Sequence, residues 1–358
     1  MEIYYTFAIL ELVLLGFSNF VNQNMPVRKY KLNVFDYMAI FFMVAFAGAR
    51  YFTGSDYGRY LAIFTDGVGG YFWNNPLQWL SLTEPGYLLL NWLTAVVFPK
   101  WQFAIFWTAA ILIYVPLFLK LKRRSSMAWL SIMCFILLGH FTMSFNIMKQ
   151  YIAITFLFLS FDDFLDKKYL RFALLFIIAV SFHLSSLIYL PFLLVLKWFK
   201  PTYILLALCV CAGAIATALI PKILNMLPVL NAYLQFVDAP GTKIGAWIIS
   251  GVWIATALLM LSFKDKLIAF NEHNRFYLCL FLFSLIFMVG GISNIIVARL
   301  VPPLQYGLFY LIPDTVCIVD KRLRSFTIYV VICLLLVWYG FYAASYGKVV
   351  PYQTYLIK

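Results

Sequence analysis

The sequence predicts an all-α, polytopic integral membrane protein, a single transmembrane domain over residues 1–358, and three observations carry that reading. Hydrophobic residues make up 64% of the chain and charged residues 11%, against roughly 25% charged in a soluble domain. Mean hydropathy is +0.90. Apolar runs of about 20 residues recur, the length a helix needs to cross a bilayer, whereas β-barrel strands would alternate over about ten. The formal charge of +13 falls in short clusters between apolar runs, as the positive-inside rule requires, and not in one patch suited to nucleic acid.

Ile3–Val21 reads as the first span. It lacks a basic n-region and a small-residue cleavage site, so it is expected to be retained and not removed as a signal peptide. Arg28, Lys29 and Lys31 place the next loop in the cytoplasm. Val34–Ala49 then runs outward to Arg50-Tyr51-Phe52-Thr53-Gly54-Ser55-Asp56-Tyr57-Gly58-Arg59-Tyr60, which opens an external loop over 51–100. Tyr87–Phe98 is too short to cross comfortably and reads as an interfacial helix. Were it to cross, the strong cluster Lys120, Lys122, Arg123 and Arg124 would face outside, against the rule. Gln102–Leu119 therefore runs inward, Trp129–Phe141 outward, and Ser144–Gln150 is expected as an external turn, with His140 near the outer surface in a structural role.

Tyr151–Leu165 returns to Asp166-Lys167-Lys168. Leu170–Phe182 and Leu184–Leu196 flank His183 as two short spans or as a re-entrant pair with the histidine at its tip. Tyr203–Ile220 leads to a second external loop over 221–245, Ala246–Phe263 returns, Phe276–Ile292 goes out, and Leu300–Val319 comes in. Phe326–Ala344 exits to an external tail. About twelve membrane segments result. Cys134, Cys209, Cys211, Cys279, Cys317 and Cys333 all lie in apolar runs without metal spacing, as free thiols do.

Charges at the mouth of a span are costly and usually mark function. Gly54, Asp56 and Gly58 also make a tight polar turn that an interfacial belt of Arg and Tyr does not need. Arg50, Lys149 and Arg299 end spans distant in sequence at one membrane level, with Asp56 just beyond Arg50. Converging cations suit an anionic ligand such as a phosphate or pyrophosphate. Snorkelling to lipid head groups is the plainer alternative and suffices for Lys100 and Lys348. His183, near Ser181, Ser185 and Ser186, suits proton transfer; Asp56 and Glu84 are competing bases. The chain has no Walker loop, His-x-x-Glu-His type motif, serine elbow or Asp-x-Asp, so no metal and no cofactor is expected.

Arg50 with Gly54-Ser55-Asp56-Tyr57 and Tyr60, Glu84-Pro85-Gly86-Tyr87, Asn146…Lys149-Gln150 and Phe182-His183-Leu184-Ser185-Ser186 together resemble the EpsG-like branch of the Wzy-type polysaccharide polymerases. The resemblance covers roughly the first 200 residues by motif; beyond them only hydropathy and Arg299 match. The family commonly carries Arg-Gln where this chain has Lys149-Gln150, which keeps the charge and loses the bidentate fork. The resemblance implies a GT-C-like membrane glycosyltransferase that polymerises O-antigen, capsule or exopolysaccharide repeat units at the periplasmic face of a bacterial inner membrane, with 51–100 and 221–245 as periplasmic loops. Its donor would be a growing glycan on undecaprenyl pyrophosphate and its acceptor a lipid-linked repeat unit. Membrane lipid and a chain-length regulator protein would be further partners, and no metal would be required. Arg50, Lys149 and Arg299 would stabilise the leaving pyrophosphate. His183 or Asp56, ranked together, and then Glu84 would be the base. Tyr57, Tyr60, Glu84, Gln150 and Arg59 would bind substrate, with Tyr51, Trp73 and Trp79 as further stacking aromatics.

Two other functions share parts of this pattern. A lipid-linked glycan flippase would place cavity charges at mid-membrane and show two-fold pseudo-symmetry, and the sequence has neither. A membrane O-acyltransferase pairs an early histidine with an arginine, yet the first histidine here is His140.

Overall fold

The computed structural model describes residues 1–24, 32–66, 83–196, 198–226, 243–292, 294–345 and 347–356. Among these residues the chain is helical with no strand, apart from an isolated antiparallel bridge between Arg50 and Thr354. In chain order the helices are α1 (Glu2–Asn24), α2 (Val34–Gly48), α3 (Tyr57–Asp66), α4 (Pro85–Val97), α5 (Ala104–Arg124), α6 (Ala128–Leu137), α7 (His140–Asn146), α8 (Met148–Leu165), α9 (Tyr169–Phe182) and, after a 3₁₀ turn at Leu184–Ile188, α10 (Tyr189–Leu196). They continue with α11 (Tyr203–Met226), α12 (Lys243–Ser262), α13 (Lys264–Phe270), α14 (Asn274–Gly290), α15 (Ile295–Ala298), α16 (Pro302–Gln305), α17 (Leu308–Ile318) and α18 (Lys321–Ser345).

Glu2–Gln23, Ala104–Arg124, Ile244–Ser262 and Lys321–Tyr342 are long and apolar enough to cross a membrane, and α6 with α7, bent by 48°, adds a fifth if the pair is one span. Several shorter apolar helices accompany them. On α18, Phe326, Val330, Leu334, Val337 and Phe341 are exposed at helical spacing, a face that lipid would cover. The chain is a multi-pass membrane protein.

Two compact units divide the chain, Met1–Tyr189 with Ser325–Lys358, and Leu190–Arg324. In the first, α8 and α9 form an antiparallel hairpin and α2 packs on α5 and α1. Lipid offers helices no net hydrophobic drive to associate, so packing and polar ties must hold them. An aromatic cluster supplies packing: Phe7 stacks on Phe141 at 4.8 Å and Phe46 on Tyr352 at 4.2 Å. A polar tie closes the far end. Asn33 caps α2 in a capping box with Asp36, and Asp36 accepts from Ser18 of α1 at 2.6 Å and pairs with Lys122 of α5 at 2.7 Å. The basic cluster of α5 also meets acids of α8, with Lys120 on Asp162 at 3.1 Å and Arg124 on Asp166 at 2.6 Å. In the second unit α11 and α12 pack on α14, and α13 on α17.

Three expectations are corrected. Ser144–Gln150 is not an external turn: α7 continues through Asn146, the chain breaks at Ile147, and α8 begins at Met148. Gly139, at φ +93°, turns the chain between α6 and α7 beside Tyr342, so the bend falls earlier than expected. His140 is consequently buried, at 1% exposure, with Nδ1 2.9 Å from the Tyr151 hydroxyl. Leu300–Val319 is not one helix either. Pro302-Pro303 removes two backbone donors, and the segment divides into α16 and α17. The stretch after α18 is no free tail, since it lies along the Arg50 turn.

Removing one partner of a buried ion pair leaves an uncompensated charge, typically at a cost of about 3–5 kcal/mol, while an apolar replacement of both is often neutral. Lys122→Ala is therefore expected to lower the thermal midpoint of the detergent-solubilised protein more than the double change Asp36→Asn/Lys122→Met, as read by thermal-shift size exclusion.

Candidate functional site

Glu84 is the centre of the site. Thr83 and Glu84 precede α4, with Glu84 extended at φ −70° and ψ 148° and Pro85 filling the first helical turn, where a missing N–H costs nothing. The Glu84 side chain makes no cap bond to its own helix. One carboxylate oxygen, Oε2, pairs with Lys149 Nζ at 2.5 Å, and the other, Oε1, lies 2.9 Å from His183 Nδ1. Thr83 Oγ1 donates to Oε2 at 3.2 Å.

Three chain breaks bring these groups together. Lys149 stands in the first turn of α8, immediately after the break at Ile147. His183 terminates α9 in an extended conformation, φ −158° and ψ 111°. Gly86 lets the start of α4 press against the end of α9, because a Cβ there would sit 2.5 Å from Ser181 Oγ and 2.8 Å from the Ser181 carbonyl oxygen. The three side chains are each about one-fifth to one-quarter exposed, at 18% for Glu84, 22% for Lys149 and 25% for His183. They are desolvated enough to interact strongly and open enough to be reached.

Glu84 lies outside the helices, and its charge state follows from its neighbours. Burial opposes ionisation, but the hydrogen bonds from His183 and Lys149 and the lysine charge outweigh it, holding the carboxyl at about 2. An ionised carboxylate can only accept, so the His183 proton sits on Nδ1 and Nε2 keeps its lone pair. The same orienting role is played by the buried aspartate of a catalytic triad. A carboxylate so acidic is a weak base at neutral pH, which favours His183 over Glu84 as proton acceptor.

The other expected residues are placed differently. Arg50 is buried, at 2% exposure, with Nη1 donating to Ala47 O at 2.5 Å and Nη2 to Met148 Sδ at 3.4 Å. Its guanidinium lies over the Phe106 ring at 4.8 Å and the Phe145 ring at 5.0 Å. It thus touches the residue next to Lys149 and does not face solvent. Tyr57 is fully buried and stacked on Phe106 at 4.2 Å, and Tyr60 is buried edge-on to Tyr87. Gln150 is buried too. Tyr51 and Phe52 are the exposed aromatics of the turn, Arg59 is exposed, and Asp56 is half-buried beside the Ser55 hydroxyl at 3.1 Å. Arg299 follows α15 in the second unit and is half-buried. Trp73 and Trp79, and most of the 221–245 loop, lie outside the described residues. Among the described residues no three His, Cys, Asp or Glu side chains gather as a metal site.

Sequence reasoning missed the Glu84–Lys149 pair, which joins residues 65 apart, and the close approach at Gly86. It also missed the segment from Gly347 to Tyr355, whose alternation of polar and aromatic residues after Pro351 was the available signal.

The sequence pattern of the EpsG family matches residues 33–354. The chain belongs to the EpsG family. Its members are membrane proteins of polysaccharide biosynthesis, polymerase-like in type. The match runs from the cap of α2 to the bridge residue Thr354, so it takes in every residue of the site. No curated protein and no solved structure matches the chain.

Two predictions follow from this geometry. Gly86→Ala should separate Glu84 from His183 and reduce polymer formation at least about tenfold at unchanged protein abundance. Gly16→Ala, where nothing lies within 4 Å of an added Cβ, should be silent in the same gel assay. The lowered acidity constant of Glu84 also has a sign. Its contribution to stability is whole above the ordinary carboxyl value of 4.5 and is lost as pH falls towards about 2. The difference in thermal midpoint between the native protein and Glu84→Gln should accordingly be flat from neutral pH to about 5 and shrink below it.

Proposed function

We propose that this EpsG-family chain is a metal-independent glycosyltransferase that joins polysaccharide repeat units at the periplasmic face of a bacterial inner membrane. It would use about twelve membrane segments in a GT-C-like arrangement. The observation that carries the reading is the Glu84 carboxylate, which holds a lysine on one oxygen and a histidine on the other. The pairing offers a cation and a base side by side, and glycosyl transfer from a pyrophosphate needs both.

In the proposed reaction, the donor is a growing glycan on undecaprenyl pyrophosphate and the acceptor a lipid-linked repeat unit. An acceptor hydroxyl oxygen bonds to the anomeric carbon of the donor as the bond from that carbon to the pyrophosphate oxygen breaks. The hydroxyl proton passes to His183 Nε2, and the bonding pair leaves with undecaprenyl pyrophosphate. Positive charge placed where negative charge grows lowers such a barrier, which is the role assigned to Lys149. Asp56 is the second candidate base and Arg299 a further candidate cation. The exposed rings of Tyr51 and Phe52 are suited to stack on sugar. A chain-length regulator would act on this same polymerisation step.

The test is complementation of a polymerase-null strain, with membrane abundance checked and surface glycan read as a ladder. His183→Ala, Lys149→Ala and Glu84→Gln should each lose the ladder, a drop of about 10²-fold or more, while one repeat unit still reaches the surface. Asp56→Asn separates the two candidate bases, and Arg299→Ala reads the second cation. Ladders surviving the changes at His183, Lys149 and Glu84 would refute the site. A null strain that fails to export even one unit would favour the flippase.

A further inference from the structure

The segment after α18 returns across the whole sequence to one place. Gly347 and Lys348 both adopt left-handed backbone, at φ +59° and +55°, and reverse the chain. From there the strap Gly347–Tyr355 runs along the turn Ala49–Ser55. Gly54 N–H donates to Lys348 O at 3.1 Å, Ser55 N–H to Gly347 O at 3.0 Å, and Tyr51 N–H to Gln353 O at 2.8 Å. The Thr354 hydroxyl and Tyr355 N–H both donate to Ala49 O, at 2.7 and 3.3 Å, across the Arg50–Thr354 bridge. Side chains fasten both edges. Tyr352 donates to Phe46 O at 2.7 Å, and Trp107 Nε1 to the Tyr355 hydroxyl at 2.7 Å.

Asn146 joins this strap to the catalytic side. Its Oδ1 accepts from Ser55 N at 2.7 Å. Its side chain is wedged between Gly54, where an added Cβ would lie 2.7 Å from Oδ1, and Gly347, where a Cβ would collide with Nδ2. Asn146 is the last residue of α7, and Lys149 lies just past the break that follows it. Arg50, held from the other side by the strap, contacts Met148, the first residue of α8. The strap, the Arg50 turn and the start of α8 are thus fixed to one another by groups that do not reach Lys149 themselves.

We infer that the strap Gly347–Tyr355 is a positioning element for glycosyl transfer. By clasping the Ala49–Ser55 turn it fixes Arg50 and Asn146 against the α7–α8 break, and so sets where the Lys149 ammonium stands. The inference rests on the reading that Lys149, Glu84 and His183 are the reacting centre. It makes Arg50 a positioning residue. A displacement of about 1 Å at a reacting group costs on the order of 10²-fold in rate, so a strap of this kind acts on turnover and not on lipid binding.

The experiment uses purified full-length protein in proteoliposomes with a synthetic lipid-linked repeat unit. It compares Thr354→Val, Thr354→Ser, a deletion of residues 347–356, and Lys149→Ala, each first passed through size exclusion. Thr354→Val should lower kcat several-fold with KM little changed, and Thr354→Ser, which restores the hydroxyl donor to Ala49 O, should recover it. The deletion should lower kcat about 10²-fold in whatever fraction remains monodisperse. Wild-type kcat in both Thr354→Val and the deletion, a rise in KM alone, or no recovery by serine would overturn the inference. If Lys149→Ala itself turns over normally, the proposed reacting centre fails and the positioning role falls with it. Loss in Lys149→Ala with full activity in the strap variants removes the strap alone.

Discussion

One carboxylate between two partners is the constraint on which the site depends. Glu84 cannot serve Lys149 and His183 together unless three helix ends meet, since its oxygens reach only about 3 Å from each. The start of α4, the start of α8 and the end of α9 are therefore fixed relative to one another to within a fraction of an ångström. Each end is made by a local feature. Pro85 opens α4, the break at Ile147 frees α8, and the extended backbone of His183 closes α9. Gly86 then removes the one side-chain atom that would keep α4 and α9 apart.

The electrostatics follow from that packing. A lysine in the first turn of a helix stands against the helix dipole, and the Glu84 carboxylate offsets this by bonding to it. The same carboxylate selects the histidine tautomer, leaving Nε2 for a substrate proton. A cation and a base are thus presented by one acid, with neither left unpaired. At the opposite ends of α5 and α8 the acids have another task, tying the basic residues that follow a span to Asp36, Asp162 and Asp166. Charge in this protein is concentrated at helix ends, where desolvation is partial and pairing is within reach.

Much of the helix pattern was legible because its signals are local. Asn33 and Asp36 announce the start of α2, Glu84-Pro85-Gly86 announces α4, and α1, α2, α9 and α18 fall within a few residues of their apolar runs. The site residues were legible as types, being charged groups at the mouths of spans. Their partnerships were not, because a contact between Glu84 and Lys149 depends on which helix ends pack together. Arg50 shows the limit most clearly. Its position at the end of α2 marked it out, yet only the packed structure shows its guanidinium turned inwards between Phe106 and Phe145. The breaks at Gly139 and Pro302-Pro303 were local signals passed over inside apolar runs, where hydropathy outweighed backbone chemistry.

The central claim is that Glu84 and His183 act as one unit, and a double-mutant cycle on turnover tests it most directly. Purified Glu84→Gln, His183→Ala and the double variant would be assayed on a synthetic lipid-linked repeat unit. Residues acting as a unit are strongly non-additive. The double variant is predicted to lose no more activity than His183→Ala alone. Losses that multiply would mean that the carboxylate and the imidazole act independently, and the clamp would not be the basis of the site.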